Sequence, residues 1–254
     1  MFPKEGGWKN RRGGYMSRNP GDWWDRTWGV VEGCTPVGPA CDRCWARAMI
    51  RRFDKGDPSE VVLFLERLDL PDETNKPTRW FVASRGDLFH KQVTEAFRRM
   101  CFEVMRENPR HNFYVLTKRY EALAAHARHP ETDHIHLGFT AWDQASLDAA
   151  VKALRSTSVP LWVSLEPLLG PVDLTLAFPM VEWVVCGGET GPGARPMHVE
   201  WVRSIQDQCE NARVPFWFKS WGSAEPKSEQ ALAHPLRRTR RLDRCEYSER
   251  PEEW

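Results

Sequence analysis

The sequence lacks a long apolar run, which excludes a membrane span, and it carries almost no net charge, which leaves overall charge uninformative about partners. No apolar stretch among its 254 residues approaches the ~18 residues that a membrane span requires. The first 28 residues have no apolar core of the kind found in signal peptides. Lys and Arg total 36 against 35 Asp and Glu, so a polyanionic partner would have to bind local basic patches. We therefore expect a cytoplasmic protein with no membrane partner.

The seven cysteines do not form the even set that is typical of a secreted disulfide framework. Cys34, Cys41 and Cys44 are clustered in the motif CTPVGPACDRC, and the other four are scattered. Cys101 and Cys209 recur with apolar residues at helical spacing, which favours a buried position for both. The clustered thiols are therefore the candidates for chemistry.

Short β-rich segments alternate with helical segments along most of the chain. Several of the β-rich segments are apolar almost without alternation, which is typical of strands covered on both faces and favours parallel pairing. The predicted strands are 27–33, 79–84, 112–117, 134–140, 160–165, 181–186 and 215–219, and the predicted helices are 42–53, 93–108, 119–129, 142–157 and 198–213. This order predicts an α/β fold, a complete or partial parallel (β/α) barrel, with an open doubly wound sheet as the alternative.

We divide the chain into three parts on composition. An irregular N-terminal arm covers 1–26, the barrel covers 27–222, and a C-terminal extension covers 223–254. In a parallel barrel the functional groups lie where the loops after the strands converge. Polar residues or glycines that follow the predicted strands are Cys34, Ser84, Asp87, Thr117, Lys118, Thr140, Glu166, Gly187, Gly188, Glu189 and Lys219.

Each of these residues also has a plainer interpretation. Ser84, Asp87 and Thr117 are residue types that commonly cap helices. The double glycine suits a tight turn, and Glu189 suits a solvated loop. Only their convergence on one edge of the barrel favours a ligand site.

Three closely spaced thiols predict a metal site. A structural zinc ion needs four ligands, and the sequence has no second CxxC pair. The histidines that could supply a fourth zinc ligand through tertiary contact are His90, His111, His134 and His136. An iron-sulfur cube held by three cysteines instead leaves one iron open to another ligand, since four cysteines are the usual set.

Six segments, taken together and in order, resemble the radical SAM superfamily, and more closely its phage and bacterial three-Cys-motif subfamily. The segments are 27–46, 81–90, 115–119, 163–174, 183–209 and 214–222. The resemblance implies a partial α/β barrel with a [4Fe-4S] cluster held by Cys34, Cys41 and Cys44. It also implies that S-adenosylmethionine (SAM) chelates the fourth iron, and that an electron donor drives its cleavage to a 5′-deoxyadenosyl radical.

The motifs depart from the superfamily pattern in two places. The usual spacing is CxxxCxxC with an aromatic residue before the last cysteine, whereas here the first gap is six residues and Arg43 precedes Cys44. The superfamily's GGE motif normally follows the second strand, where this chain has Ser84 and Asp87, which we assign to the SAM amino end. The other cofactor-binding candidates are Thr117, Thr140, Gly187, Gly188 and Glu189, the double glycine for ribose, adenine or substrate.

Radical chemistry requires a site that excludes water and positions one C–H bond. Lys118, Glu166 and Lys219 are the candidate catalytic residues, which could bind a zwitterionic or phosphorylated substrate. Tryptophans that could line the site, with core packing as the alternative, are Trp45, Trp142, Trp162, Trp217 and Trp221.

The kind of family that the sequence resembles suggests a nucleobase in phage DNA as the substrate, for instance a thymine whose amino-acid substituent is isomerised. Local basic residues could grip phosphates while a base is flipped out, although a solvated surface is the alternative interpretation. They are Lys4, Lys9, Arg11, Arg12, Arg51, Arg52, Arg237, Arg238, Arg240 and Arg241. Two other classes stay open: a zinc-stabilised nucleic-acid-binding module and a non-catalytic iron-sulfur redox protein.

Overall fold

The computed structural model describes residues 23–54, 56–128, 131–228, 240–243 and 245–251. Most of the predicted N-terminal arm lies outside these ranges, as do Lys4, Lys9, Arg11, Arg12, Arg237 and Arg238. In the described ranges the strands are β1 (Arg26–Trp28), β2 (Val31–Glu32), β3 (Val62–Leu63), β4 (Arg79–Val82), β5 (Asn112–Thr117), β6 (Ile135–Ala141), β7 (Leu161–Leu165), β8 (Val181–Gly187), β9 (Phe216–Ser220), β10 (Arg241–Leu242) and β11 (Cys245–Glu246). The α-helices are α1 (Trp45–Met49), α2 (Glu95–Glu107), α3 (Tyr120–His126), α4 (Gln144–Leu154) and α5 (Val199–Ala212).

Seven of the strands form one sheet in the order β1-β4-β5-β6-β7-β8-β9. The pairs β1–β4, β4–β5, β6–β7, β7–β8 and β8–β9 are parallel. Neighbouring strands of the sheet follow one another in chain order from one edge to the other. In a doubly wound sheet the order of the strands would instead reverse partway across the sheet. The fold is therefore α/β with the topology of a partial (β/α) barrel, which confirms the predicted fold class.

The apolar character of the central strands matches their burial. Every residue of β6 and of β7 is buried, as expected where both faces of a parallel strand are covered. Helix α4, which follows β6, begins with a capping box. The Asp143 side chain accepts a hydrogen bond from the Ser146 backbone, and the Ser146 hydroxyl accepts one from the Asp143 backbone. Local sequence thus determines where this strand-helix unit turns.

The predicted strand at 27–33 was too long. Residues Arg26–Trp28 pair in the large sheet, whereas Val31–Glu32 form a separate antiparallel ladder with Val62–Leu63. Arg67 holds the chain between these strands, because it donates to the carbonyl of Gly29 at 2.6 Å. The predicted helix at 42–53 is also corrected, since only five residues are α-helical before the chain continues as a π-helix over Ile50–Asp54.

The chain divides into two compact units. Unit 1 takes in the described residues of Met1–Thr35, Met49–Leu116 and Thr132–His136. Unit 2 takes in the described residues of Pro36–Ala48, Thr117–Glu131 and Leu137–Trp254. The predicted boundaries at 26 and 222 stay predictions.

In unit 2, the last described residues lie along β9. The backbone amide of Phe218 donates to the carbonyl of Tyr247 at 2.9 Å, and that of Glu249 donates to Phe216 at 3.2 Å. The indole of Trp183 donates to the carbonyl of Glu249 at 2.8 Å. This segment therefore covers an edge of the sheet that would otherwise expose unpaired backbone groups. No helix in the described ranges is both long enough and apolar enough to cross a membrane.

Candidate functional site

The structure describes all seven cysteines, and each is a thiol rather than half of a disulfide. Cys34, Cys41 and Cys44 are partly exposed. Cys34 belongs to unit 1, where its backbone amide donates to the carbonyl of Pro58 at 2.9 Å. Cys41 and Cys44 belong to unit 2 and share one turn, since the Cys44 amide donates to the Cys41 carbonyl at 3.3 Å. The segment 34–44, which carries the three cysteines, ends directly before α1.

The cysteines on helices and strands are different. Burial raises the pKa of Cys101 and of Cys209 to about 12, and raises that of the fully buried Cys186 well above its usual range. A thiol held neutral in this way is a poor metal ligand, because the thiolate is the form that binds. Cys101 and Cys209 are core residues, as the helical spacing predicted.

The donor chemistry of residues 34–44 fits a cluster of iron and sulfide. Soft thiolate ligands select iron-sulfur clusters, zinc or copper(I) over hard cations. In the part of the chain that the structure describes, no group of three or more His, Cys, Asp or Glu residues is arranged around a single metal position. The assignment of Cys34, Cys41 and Cys44 as metal ligands stays a prediction.

In unit 1, the loop after β4 carries the residues predicted to contact SAM. Ser84 is half-buried and Asp87 is buried. The Asp87 carboxylate accepts a hydrogen bond from the Phe89 backbone at 2.9 Å, so it shapes a turn. Neither residue caps a helix, because the N-cap of α2 is Thr94. Ala83, with φ of 51°, lies in the left-handed region, which is uncommon for a residue other than glycine and marks this loop as tightly constrained.

Three side-chain pairs in unit 1 were missed from the sequence. Glu32 accepts hydrogen bonds from Arg67, at 2.7 Å, and from the buried Arg85. His90 lies 2.9 Å from the Thr35 hydroxyl through Nε2 and accepts from the Gln92 amide through Nδ1. Because Nδ1 is the acceptor, Nε2 carries the proton that it donates to Thr35. His90 therefore fixes the residue that follows Cys34.

In unit 2, polar groups meet at the carboxyl ends of β6, β7 and β9. Thr140 and Ser164 are neighbours in the register of β6 and β7. The Ser164 hydroxyl donates to Glu166 at 3.2 Å, and Lys219 Nζ lies 3.1 Å from the other carboxylate oxygen of Glu166. Thr140 is 1% exposed, and its hydroxyl has no hydrogen-bond partner within the described residues. The structure thus brings together two of the three predicted catalytic residues.

The double glycine at the end of β8 is required by close packing. A Cβ at Gly187 would lie 2.5 Å from Oε1 of Glu166, and a Cβ at Gly188 would overlap the carbonyl oxygen of Trp221. Neither position has a positive φ. These glycines therefore make room for neighbours rather than permit a left-handed turn.

Glu189 is not a solvated loop charge, because it is only 5% exposed. Its Oε2 accepts hydrogen bonds from the backbone N and from Nε of Arg195, at 2.8 and 2.9 Å, and its Oε1 accepts from Nη2 of the same residue. Burial alone would raise the pKa of Glu189, but the Arg195 hydrogen bonds and the charges of Arg195 and Arg43 outweigh it and lower the pKa.

The remaining candidates in unit 2 differ in burial. Thr117 is buried and its hydroxyl accepts from the Arg119 amide at 3.0 Å, while the N-cap of α3 is Arg119 and not Thr117. Lys118 is half-buried. Trp142 packs over the cysteine segment, since a Cβ at Gly38 would lie 2.6 Å from its ring.

The other candidate tryptophans fall into two groups. Trp162, Trp217 and Trp221 are core residues, each at most 3% exposed, which agrees with the plainer interpretation of these three. Trp45 is 44% exposed and therefore lies outside the core.

The fold and the site define an α/β protein of partial-barrel topology with a cysteine-rich segment after the first strand of its sheet. The chain belongs to the DUF5131 family, described as a protein of unknown function, whose model matches residues 19–251. Among curated proteins, none matches this chain.

Several solved structures of spore photoproduct lyase are similar to this chain. One, a complex with dinucleoside spore photoproduct, has a TM-score of 0.45 and 11% sequence identity over 75% of this chain and 62% of the lyase chain. A mutant of the lyase has a TM-score of 0.49 and 10% identity over 90% of this chain and 73% of the lyase chain. The chain thus spans less than two thirds of the length of the first of these structures.

Proposed function

We propose that this protein is a radical SAM enzyme. Cys34, Cys41 and Cys44 hold a [4Fe-4S] cluster, and SAM binds to the iron that lacks a cysteine. The observation that carries the proposal is the placement of three partly exposed thiols within residues 34–44, in the stretch that follows β1 and β2 and leads into α1, in a fold of partial-barrel topology. Three cysteine ligands where four are usual leave one iron for a cosubstrate.

When bound, the cluster and SAM would supply radical chemistry: an electron from a donor would cleave SAM, and the resulting radical would remove hydrogen from a substrate carbon. The chain's own residues exclude water and orient the reactants. Trp142 serves the first purpose, because its ring covers the cysteine segment at Gly38.

Thr140 is the best supported of the proposed SAM contacts. Its buried hydroxyl has no hydrogen-bond partner in the described part of the chain, and an unsatisfied buried hydroxyl costs roughly 1–3 kcal/mol. A hydroxyl or ring nitrogen of a bound cosubstrate would satisfy it. The further proposed SAM contacts are Ser84, Asp87, Thr117, Gly187 and Gly188.

Glu166 and Lys219 are the proposed substrate-binding pair, with Lys118 beside Thr117 as a further candidate. The Lys219 side chain is 40% exposed whereas that of Glu166 is 17% exposed, so an incoming ligand reaches the ammonium group first. A zwitterionic amino-acid group matches the pair, because its carboxylate suits Lys219 and its ammonium group suits Glu166. We therefore propose an amino-acid substituent on a thymine of phage DNA as the group acted on, by isomerisation.

Binding to DNA is supported by exposed aromatic and basic residues just after the cysteines. Trp45 is 44% exposed and Phe53 is 59% exposed, and Arg51 and Arg52 are exposed as well. Exposed rings stack on unpaired bases, and arginines neutralise phosphates. Trp45 directly follows Cys44 in the chain, so a base stacked on it would lie beside that proposed cluster ligand.

Anaerobic reconstitution tests the proposed class. We expect a brown protein with about four iron and four sulfide per chain that releases 5′-deoxyadenosine from SAM after dithionite reduction. A colourless protein with about one zinc ion and no SAM cleavage would instead establish the zinc-stabilised module. A brown protein that leaves SAM intact would establish the redox protein.

Binding of single-stranded DNA at low and physiological salt tests the proposed substrate class. We expect affinity to fall steeply as salt rises, and Trp45→Ala to weaken binding about tenfold, since a stacked base contributes ~1–3 kcal/mol. The matched control is Leu176→Ala, which removes an exposed apolar side chain elsewhere. Absence of binding at low salt, or equal losses in both variants, would contradict the proposal.

A further inference from the structure

We infer that Glu189 is a positioning residue, which holds Arg195 so that this arginine fixes the stretch of chain that carries Cys41 and Cys44. The inference concerns the chain's own geometry, and it rests on the proposed function only for what the two cysteines bind. All of the residues that carry it belong to unit 2.

The first step is that Glu189 is fully engaged by Arg195. Both carboxylate oxygens accept hydrogen bonds from the Arg195 guanidinium, and Oε2 also accepts from the Arg195 backbone. Such a two-oxygen, charge-assisted pair fixes the plane and direction of a guanidinium group. Glu189 therefore has little capacity left for direct contact with SAM.

The second step is that the guanidinium reaches the cysteine segment. Nη2 of Arg195 donates to the carbonyl of Pro39 at 2.9 Å, two residues before Cys41. Nη1 of Arg195 lies 3.9 Å from the Asp42 carboxylate, the residue after Cys41. Arg195 thus contacts the chain on both sides of that cysteine.

The third step is that a residue of the cysteine segment contacts the segment 189–195. Arg43, the residue before Cys44, donates a hydrogen bond to the carbonyl of Gly193 and lies 3.8 Å from Oε2 of Glu189. The segment 39–43 and the segment 189–195 therefore hold each other through two arginines and one buried carboxylate. Glu189, which follows the double glycine at the end of β8, would thus act on the cysteine segment and not on SAM.

The experiment measures thiol alkylation, residue by residue, in the protein without a cluster. Wild type is compared with Glu189→Gln, which keeps the shape but loses the charge, and with Arg195→Lys, which keeps the charge but not the two-oxygen geometry. We expect Cys41 and Cys44 to react roughly tenfold faster in both variants, since charge-assisted hydrogen bonds limit local opening. Cys101 and Cys209 should stay protected, which shows that the fold is intact.

The matched control is Arg203→Lys, which weakens another two-oxygen arginine pair in unit 2, with Asp243. We expect no change in the alkylation of Cys41 and Cys44 in this variant. Unchanged rates in Glu189→Gln and Arg195→Lys, or an equal rise in Arg203→Lys, would overturn the inference.

Iron analysis after reconstitution separates this inference from the proposed function. If wild type takes up no iron but the alkylation pattern is as expected, the positioning role stands and the proposed function fails. If wild type takes up iron and the alkylation rates do not change in the variants, only the positioning role fails.

Discussion

The cysteines of residues 34–44 and the cysteines on the helices and central strands lie in contrasting surroundings. The three in the segment are partly exposed and lie on turns and loops held by side chains from elsewhere in their units. Cys101, Cys186 and Cys209 are at most 1% exposed and are surrounded by the core. The same side chain is therefore partly open to solvent in one region and packed as a small apolar residue in the other.

The difference shows that the location of a thiol, more than its presence, determines its chemistry. In the core, burial disfavours the thiolate and the raised pKa values follow. In the segment, backbone and arginine contacts fix the chain while leaving the thiols accessible. This contrast can be tested by changing the cysteines of one region at a time and measuring both iron uptake and stability.

The largest expected effect is the loss of the cluster. Cys34→Ala, Cys41→Ala or Cys44→Ala should each abolish iron and sulfide uptake, because two thiolates are too few to hold the proposed cluster. Iron and sulfide analysis after reconstitution measures this. The unfolding temperature without a cluster should stay near that of wild type, and normal iron content in any of the three variants would contradict the assignment.

A smaller effect is expected in the core. Cys101→Ala or Cys209→Ala should lower the free energy of unfolding by about 1 to 3 kcal/mol, as for other buried truncations. Urea unfolding measures this loss, and iron uptake should equal that of wild type. A core variant that loses iron without losing stability would reverse the contrast between the two groups.

A third effect, which is small near pH 9 and accumulates as pH rises, is a change in the alkaline pH dependence of stability. The pKa of Cys101 is about 12 in the folded protein against an ordinary value of 9.0, so above pH 9 the unfolded chain loses this proton first. Stability should then fall with rising pH, by up to about 1.4 kcal/mol per pH unit for this thiol, until the folded thiol ionises.

Cys101→Ala should therefore show a shallower decline between pH 9 and 12 than wild type, when urea unfolding is repeated at each pH. Ile205→Val, which shortens a buried side chain that does not titrate, is the control and should keep the wild-type slope. Equal slopes in wild type and Cys101→Ala would show that the buried thiol does not contribute.

The elements of the fold were predictable because burial on both faces leaves a direct pattern in the sequence. The strand at 112–117 was predicted at both ends, and the five predicted helices all contain helices of the structure. The antiparallel ladder of Val31–Glu32 with Val62–Leu63 was not predicted. Two-residue strands carry too short a pattern to be recognised, and their pairing depends on a contact between distant parts of the chain.

The structure shows which of the predicted site residues contact each other and which contact partners that were not predicted. Glu166 and Lys219 were named from their positions after strands, and they form an ion pair. Glu189 was also named for its position, but its partner Arg195 was not, since an arginine in a glycine-rich loop has no distinguishing pattern. The partners of Glu32 and of His90 were also missed, because these contacts join residues that are distant in the sequence.

The sequence by itself determined the alternation of buried strands and helices, and it set three thiols close together, because periodicity and spacing are local properties. Only the tertiary structure decided which carboxylate pairs with which arginine. It decided, for example, that Glu189 binds Arg195 and that Arg195 in turn contacts the chain next to Cys41. Such pairings join residues as far apart as Pro39 and Arg195. They depend on how segments pack together, which the residue types alone do not specify.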